Sequence, residues 1–245
     1  MAKSNSELGN MAEPRLTPYG DGAIYLEYET LAYDANVNKA VLNLAARLRK
    51  SGNWVDVVSG YHSLIAVFNP HKMTLDTAAG ALKEELTNSK KIAARKPKTI
   101  NVPVYYGGEF GPDMETLIKS SGLSEDEIIK SHSAENYHVC IMGFVPGFTF
   151  LSEAPKALHH PRLEKPRLSV PSGSIGIAGW QTGIYGLSSP GGWQIIGRTP
   201  LKIFDAKRET AFLWEAGDQL RFIPQAGPFP NEVEIQTPFP RGGLL

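Results

Sequence analysis

Residues 171–199 read PSGSIGIAGWQTGIYGLSSPGGWQIIGRT, and eight of the chain's 24 glycines fall in the first 28 of them. Glycine gives up the most backbone entropy on folding and weakens regular structure. A stretch so rich in it must turn sharply or bring backbone close to something. Spacing disposes of the usual phosphate-loop explanations. GSIGIAG is G-x-x-G-x-x-G, which is not the dinucleotide fingerprint, and no helical pattern follows it. The chain has no GxxxxGK[ST] motif, no HExxH and no GxSxG. What remains is a series of short apolar runs, SIGIAG, GIYGL and WQIIG, separated by bends.

The same texture extends outward from Tyr137. YHVCIM, FTFL, LSV, LKIF, AFLW, QLRFIP and VEI are further short runs, with glycine and proline between them and no helical periodicity. Together they predict a closed or nearly closed antiparallel β-barrel, with glycines at bends, bulges and close backbone approaches. Upstream, residues 113–134 read as two short helices. Asp113 is a candidate cap for the first, and Ser124 with Glu127 forms a capping box for the second. The SSGL between them resembles the turn of a helix-turn-helix. The second helix, SEDEIIKSHS, opens with three acidic residues in its first four, which repel phosphate where a recognition helix must meet DNA.

The first hundred residues have a different rhythm. Ile24, Leu26 and Tyr28 alternate as in a strand. Val37, Val41, Leu44 and Leu48 follow at helical spacing, stopped by Gly52. Val55 with Val57, then Leu64, Ala66 and Phe68, suggest two more strands. Leu75, Ala78, Leu82 and Leu86 form a second helical stripe. The order β-α-β-β-α is the split βαβ, ferredoxin-like pattern, with Thr99 to Tyr105 as the expected last strand. Residues 88–98 are basic and aperiodic and read as a linker. The expected class is α+β: a ferredoxin-like domain over residues 14–92, then a barrel domain over 98–240.

Composition limits the function. The 245-residue chain is formally neutral, so nothing in its bulk charge attracts nucleic acid or an anionic membrane. Its single cysteine, Cys140, lies in the apolar run VCIM and reads as a core thiol in a reducing, cytoplasmic setting. The first fifteen residues lack the apolar core of a signal peptide, and no apolar stretch reaches membrane-spanning length. The histidines show no metal-ligand spacing, and the adjacent pair His159-His160 diverges on any regular element.

Chemistry concentrates around residues 161–171, PRLEKPRLSVP, where Pro161 and Pro166 each precede an arginine, Arg162 and Arg167. Stiff backbone beside a planar guanidinium suits an anion site, or two surface ion pairs. The glycine-rich stretch adds Ser172, Ser174, Gln181, Thr182 and Arg198. Phe144, Pro146, Phe148, Trp180, Tyr185 and Trp193 supply candidate walls for a groove that takes a ligand or a partner. Glu109, Asp113 and His138 are the nearest groups that titrate usefully.

Five spaced motifs carry a resemblance: YGGEFGPD (106–113), GFVPGFTFL (143–151), PRLEKPRLSVPSGSIGIAG (161–179), QTGIYG (181–186) and SPGGWQIIGRTP (189–200). Together they resemble the KipI/PxpB family, also called allophanate hydrolase subunit 1, over nearly the whole chain. The resemblance implies a ferredoxin-like domain and a cyclophilin-like barrel. It further implies the B subunit of an ATP-dependent 5-oxoprolinase, which opens 5-oxo-L-proline to L-glutamate. Its partners would be a KipA/PxpC-like and a PxpA-like subunit, with ATP at an interface or on a partner and magnesium accompanying the ATP. Other relatives act in urea carboxylase or allophanate hydrolase complexes, or inhibit a sensor histidine kinase without catalysis. Two positions depart from the family pattern: Trp180, where glycine is usual, and Gly186, where proline is usual.

Overall fold

The computed structural model describes residues 13–30, 33–87 and 96–230. The chain divides into two units, Met1–Lys96 and Pro97–Leu245.

In the first unit, β1 (Arg15–Pro18), β2 (Ala23–Glu27), β3 (Asp56–Ser59) and β4 (Ser63–Val67) form an antiparallel sheet in the order β1-β2-β4-β3. Helix α1 (Ala35–Ser51) starts at Asp34, whose carboxylate accepts from the Asn36 and Val37 N–H groups. It stops at Gly52 in the left-handed conformation. Helix α2 is Leu75–Thr87. The helical stripes and strand faces read from the sequence meet in one core containing Ile24, Leu26, Val41, Leu44, Leu48, Leu64 and Leu82. Each such side chain contributes on the order of 1.5–3 kcal/mol by leaving water.

One strand assignment is corrected. Thr99 to Tyr105 does not complete this sheet. The edge beside β2 is taken instead by β1, from the N-terminal side. β1 is polar and mostly exposed, so no periodic apolar signal marks it.

In the second unit, β5 (Thr99–Tyr106) leads into α3 (Met114–Ser121) and α4 (Glu125–Ser133). Then follow β6 (Asn136–Met142), β7 (Thr149–Glu153), β8 (Arg167–Val170), β9 (Ser174–Ala178), β10 (Gln181–Ile184), β11 (Ser189–Gly191), β12 (Gln194–Arg198) and β13 (Gln219–Pro224). Seven of these close a barrel in the order β10-β7-β6-β13-β5-β12-β9, while β8 and β11 pair as a separate ribbon.

The expected antiparallel barrel thus has one parallel seam, β5 with β13, because β5 arrives from the first unit rather than through a hairpin. LKIF and AFLW, read as strands, share only the bridge between Phe204 and Phe212. The run VEI lies outside the described residues. The capping box of Ser124 and Glu127 is formed, and α4 buries Ile128 and His132 against the barrel rather than presenting a recognition face.

All five residues of β9 are buried, as are the first four of β12. The inner face of this wall joins the barrel core through Ile175, Ile177 and Ile196. Its outer face lies under a second cluster of Phe148, Val170, Ala178, Tyr185, Trp193 and Ile195. A wall covered on both sides reads as a continuous apolar run rather than an alternating one.

Candidate functional site

The outer face of that wall is built around Trp193. Gly176 and Gly183 sit directly opposite each other on β9 and β10. A Cβ on Gly183 would lie 2.9 Å from the indole ring, and one on Gly176 would lie 3.0 Å from the Trp193 Cβ. These two glycines clear a seat for a large flat side chain, which is the close approach that the glycine-rich stretch requires. Phe148 meets the indole edge-on at 5.5 Å, and meets Tyr185 at 4.8 Å. Gly191 is needed for a related reason, since a Cβ there would overlap the Tyr185 hydroxyl.

The segment 161–171 lies across this cluster and brings both of its arginines to it. The Arg162 guanidinium sits over the Trp193 ring, 5.9 Å from its centroid. Arg167 donates from Nη2 to Asp113 Oδ1 at 2.7 Å and from Nη1 to the Trp193 carbonyl at 3.4 Å. The second Asp113 oxygen accepts from the Ile195 N–H at 2.6 Å, and the Asp113 N–H donates to the Ile195 carbonyl. The segment is also pinned by the Leu163 N–H to the Gly192 carbonyl and by Gln194 Nε2 to the Pro161 carbonyl.

The expectation that Asp113 caps α3 is corrected. Its carboxylate makes no capping bond, because both oxygens are already engaged by Arg167 and Ile195. It ties the start of α3 to the 161–171 segment and to β12.

The electrostatics follow from this pairing. The charge of Arg167 is balanced by a carboxylate whose side chain is only 8% exposed. Arg162 is exposed and forms no ion pair or hydrogen bond among the described residues. Burial raises the Tyr185 phenol above its ordinary pKa, while the Trp193 N–H and the charges of Arg162 and Arg167 act to lower it. The phenol therefore stays protonated at neutral pH, in a side chain that is only 1% exposed.

The remaining candidates are dispersed. Arg198 donates from Nε to the Ser172 carbonyl at 2.9 Å and lies over the Phe229 ring. The Ser172 hydroxyl donates to the Gly186 carbonyl. Gln181 donates to the Leu151 carbonyl across the β10–β7 seam. Ser174 and Thr182 are fully enclosed rather than lining a groove, and Thr182 belongs to a polar chain inside the barrel. His138 lies within β6, opposite Gln219 of β13, and Glu109 is exposed in the loop after β5. The bonds that pin the arginine cluster are made by Asp113, Gln194 and the backbone, not by these two.

Phe144 and Pro146 lie on the loop 143–147, which approaches the backbone of Gly186 so closely that a proline Cβ would not fit there. The departure from the family pattern at Gly186 thus accompanies a tight loop contact. Phe144 is 71% exposed and holds φ at 71°. Residues 142–147 and Phe212 line an open cavity of about 300 Å³. Trp180 occupies the β9–β10 turn, and its carbonyl accepts from the Ala154 N–H. Nothing in the sequence singles out His132. It bridges Tyr106 and Thr182 with both ring nitrogens, and no local motif announces a partner fifty residues away.

Comparison with known proteins fits this construction. The carboxyltransferase domain, subdomain C and D, matches residues 14–214. A relative from Escherichia coli O157:H7, named as the B subunit of 5-oxoprolinase, is 39% identical over 216 residues, which are 88% of this chain and 98% of that protein. The solved structure of TTHA0988 superposes with a TM-score of 0.75 at 33% identity. The match covers 86% of this chain but spans only 41% of the TTHA0988 chain. The Kluyveromyces lactis urea carboxylase superposes with a TM-score of 0.67 at 18% identity, over 87% of this chain and 22% of that one, which is a likeness of fold. By the family match and the near full-length relative, this chain belongs to the carboxyltransferase-domain (subdomain C and D) family, the KipI/PxpB family.

Proposed function

We propose that the chain is the B subunit of an ATP-dependent 5-oxoprolinase, converting 5-oxo-L-proline to L-glutamate together with PxpA-like and KipA/PxpC-like subunits. The near full-length likeness to the E. coli relative carries this reading. A five-membered lactam is a resonance-stabilised amide. Phosphorylation of its oxygen by ATP makes the carbonyl carbon a better electrophile for water, and stabilising the oxyanions that develop calls for positioned cations and N–H donors. Segment 161–171 brings cationic side chains to the barrel wall, where a partner subunit can complete such a site.

The chain has no phosphate-loop motif, and its arginine cluster lies on an outer wall of the barrel rather than in a closed cleft. Both features support an active site completed by other subunits, with ATP and its magnesium ion bound at an interface or on a partner. The match to part of a longer TTHA0988 chain is in keeping with a module that works against further polypeptide. In this reading the isolated chain is inactive, and a cytoplasmic location follows from the reaction's use of ATP.

Reconstitution tests the proposal. The chain alone should release no phosphate from ATP in the presence of 5-oxo-L-proline, and adding both partner subunits should yield glutamate and phosphate in equal amounts. A complete mixture that produces neither would overturn the reading, and with it the enzymatic role.

A further inference from the structure

The two arginines of segment 161–171 have different electrostatic fates. Arg167 is engaged by a nearly buried carboxylate and by a backbone carbonyl, so its charge is spent inside the fold. The Arg162 guanidinium carbon lies over the Trp193 indole, 5.9 Å from its centroid. A guanidinium that interacts with an aromatic ring as a cation keeps its N–H donors available, in the fork geometry that matches a carboxylate. Among the described residues none of those donors is taken.

The platform under Arg162 is also preorganised. The indole is held by Phe148 and Phe150 and by the seat that Gly176 and Gly183 leave open. The backbone flanking Arg162 is fixed on both sides, by Gln194 to the Pro161 carbonyl at 3.0 Å and by the Leu163 N–H to the Gly192 carbonyl at 2.7 Å. An exposed guanidinium with no ion-pair partner among the described residues, over an aromatic platform and on a pinned stretch of backbone, is suited to a small planar anion. The backbone need not be ordered on binding, which lowers a common entropic cost.

We propose that Arg162, held over Trp193, is the subsite that takes the α-carboxylate of the lactam substrate, while Arg167 and Asp113 hold segment 161–171 in place. The assignment of substrate rests on the reading of the chain as a 5-oxoprolinase component. The anion subsite itself rests on the geometry.

The experiment uses the reconstituted complex and the full-length chain in parallel. In the complex, Arg162→Gln should raise KM for 5-oxo-L-proline at least tenfold, with kcat within about threefold and KM for ATP unchanged. Arg162→Lys, which keeps the charge but not the fork, should fall between the two. Lys165→Gln, an exposed cation on the same segment, should behave as the parent. 2-Pyrrolidinone, the same ring without the carboxylate, should inhibit parent and Arg162→Gln complexes equally. An unchanged KM for 5-oxo-L-proline, or a rise confined to KM for ATP, would overturn the proposal, and the latter would assign Arg162 to phosphate.

Quenching of tryptophan fluorescence in the full-length chain, titrated with 5-oxo-L-proline and separately with inorganic phosphate, decides the subsite if the parent complex proves inactive. Carboxylate-dependent quenching that Arg162→Gln abolishes supports the subsite even when the enzymatic reading has failed. Equal quenching in both chains, or no quenching together with an inactive complex, removes the subsite as well.

Discussion

Asp113 accepts hydrogen bonds from two groups that lie 54 and 82 residues away in the chain, the Arg167 guanidinium and the Ile195 N–H. Truncation to alanine leaves a buried backbone donor unsatisfied, which costs about 1–3 kcal/mol. The ion pair adds less than a fully buried one would, because the Arg167 side chain is 31% exposed and solvent screens it. Asp113→Ala should therefore lower the stability of the chain to urea by about 2–3 kcal/mol, while Asp113→Asn, which can still accept from Ile195, should lose about 1 kcal/mol. Equal and negligible losses would show that the latch contributes nothing.

His132 gives a second prediction at this scale. It is fully buried between Tyr106 and Thr182, stacked on Phe222, and burial lowers its pKa from 6.5 to about 3. The unfolded chain therefore binds a proton at this position that the folded chain refuses. The stability this neutral imidazole contributes is complete above about pH 6.5 and is lost as pH falls toward 3, with a limiting slope of about 1.4 kcal/mol per pH unit. Urea midpoints between pH 7 and 5 should fall more steeply for the parent than for His132→Gln. Parallel curves would contradict this assignment. The chemistry of these residue pairs is ordinary, yet none is readable as a pair, because nothing local in sequence links positions so far apart.

Elements show why some signals are legible and others misleading. The stripes at Val37, Val41, Leu44 and Leu48 and at Leu75, Ala78 and Leu82 predict α1 and α2, because a helix on one face of a sheet must bury a single stripe. The capping box at Ser124 works for a similar reason, since its two bonds close within four residues. β1 and the parallel seam between β5 and β13 are not legible. Strand partners are chosen by tertiary contact, and β5 carries the same alternation whichever sheet it joins. The glycines of residues 171–199 read correctly as close approaches, but what they approach is set by packing.

Gly173 makes the point testable. It holds φ at 82°, and a Cβ there would run into the Thr199 carbonyl oxygen. Gly173→Ala should cost about 2–3 kcal/mol in strain and displacement, lowering Tm by roughly 5–10 °C for a unit of this size. Gly179→Ala, at φ 60° with open space around its Cβ position, should cost only about 1 kcal/mol. Matching melting curves for the two variants would remove the steric argument.

At the scale of the whole molecule, the chain builds separate cores: one in the first unit, and in the second a barrel interior and an outer aromatic cluster. In the proposed reading the outer cluster carries the function, because it makes a barrel wall a platform for Arg162 over Trp193. A platform open on one side predicts dependence on other subunits, which reconstitution with and without the partners measures directly. Among the described residues no helix is long and apolar enough to cross a membrane.

The sequence by itself determined the α+β class, the helices, the barrel character of the second half and the family, because periodicity, capping and spaced motifs are properties of neighbours along the chain. Only the tertiary structure decided which arginine keeps a free charge, that Asp113 is a latch rather than a cap, and that Ser174 and Thr182 are enclosed. Charge balance and burial depend on groups that folding brings together from across the chain, and no window of sequence contains them.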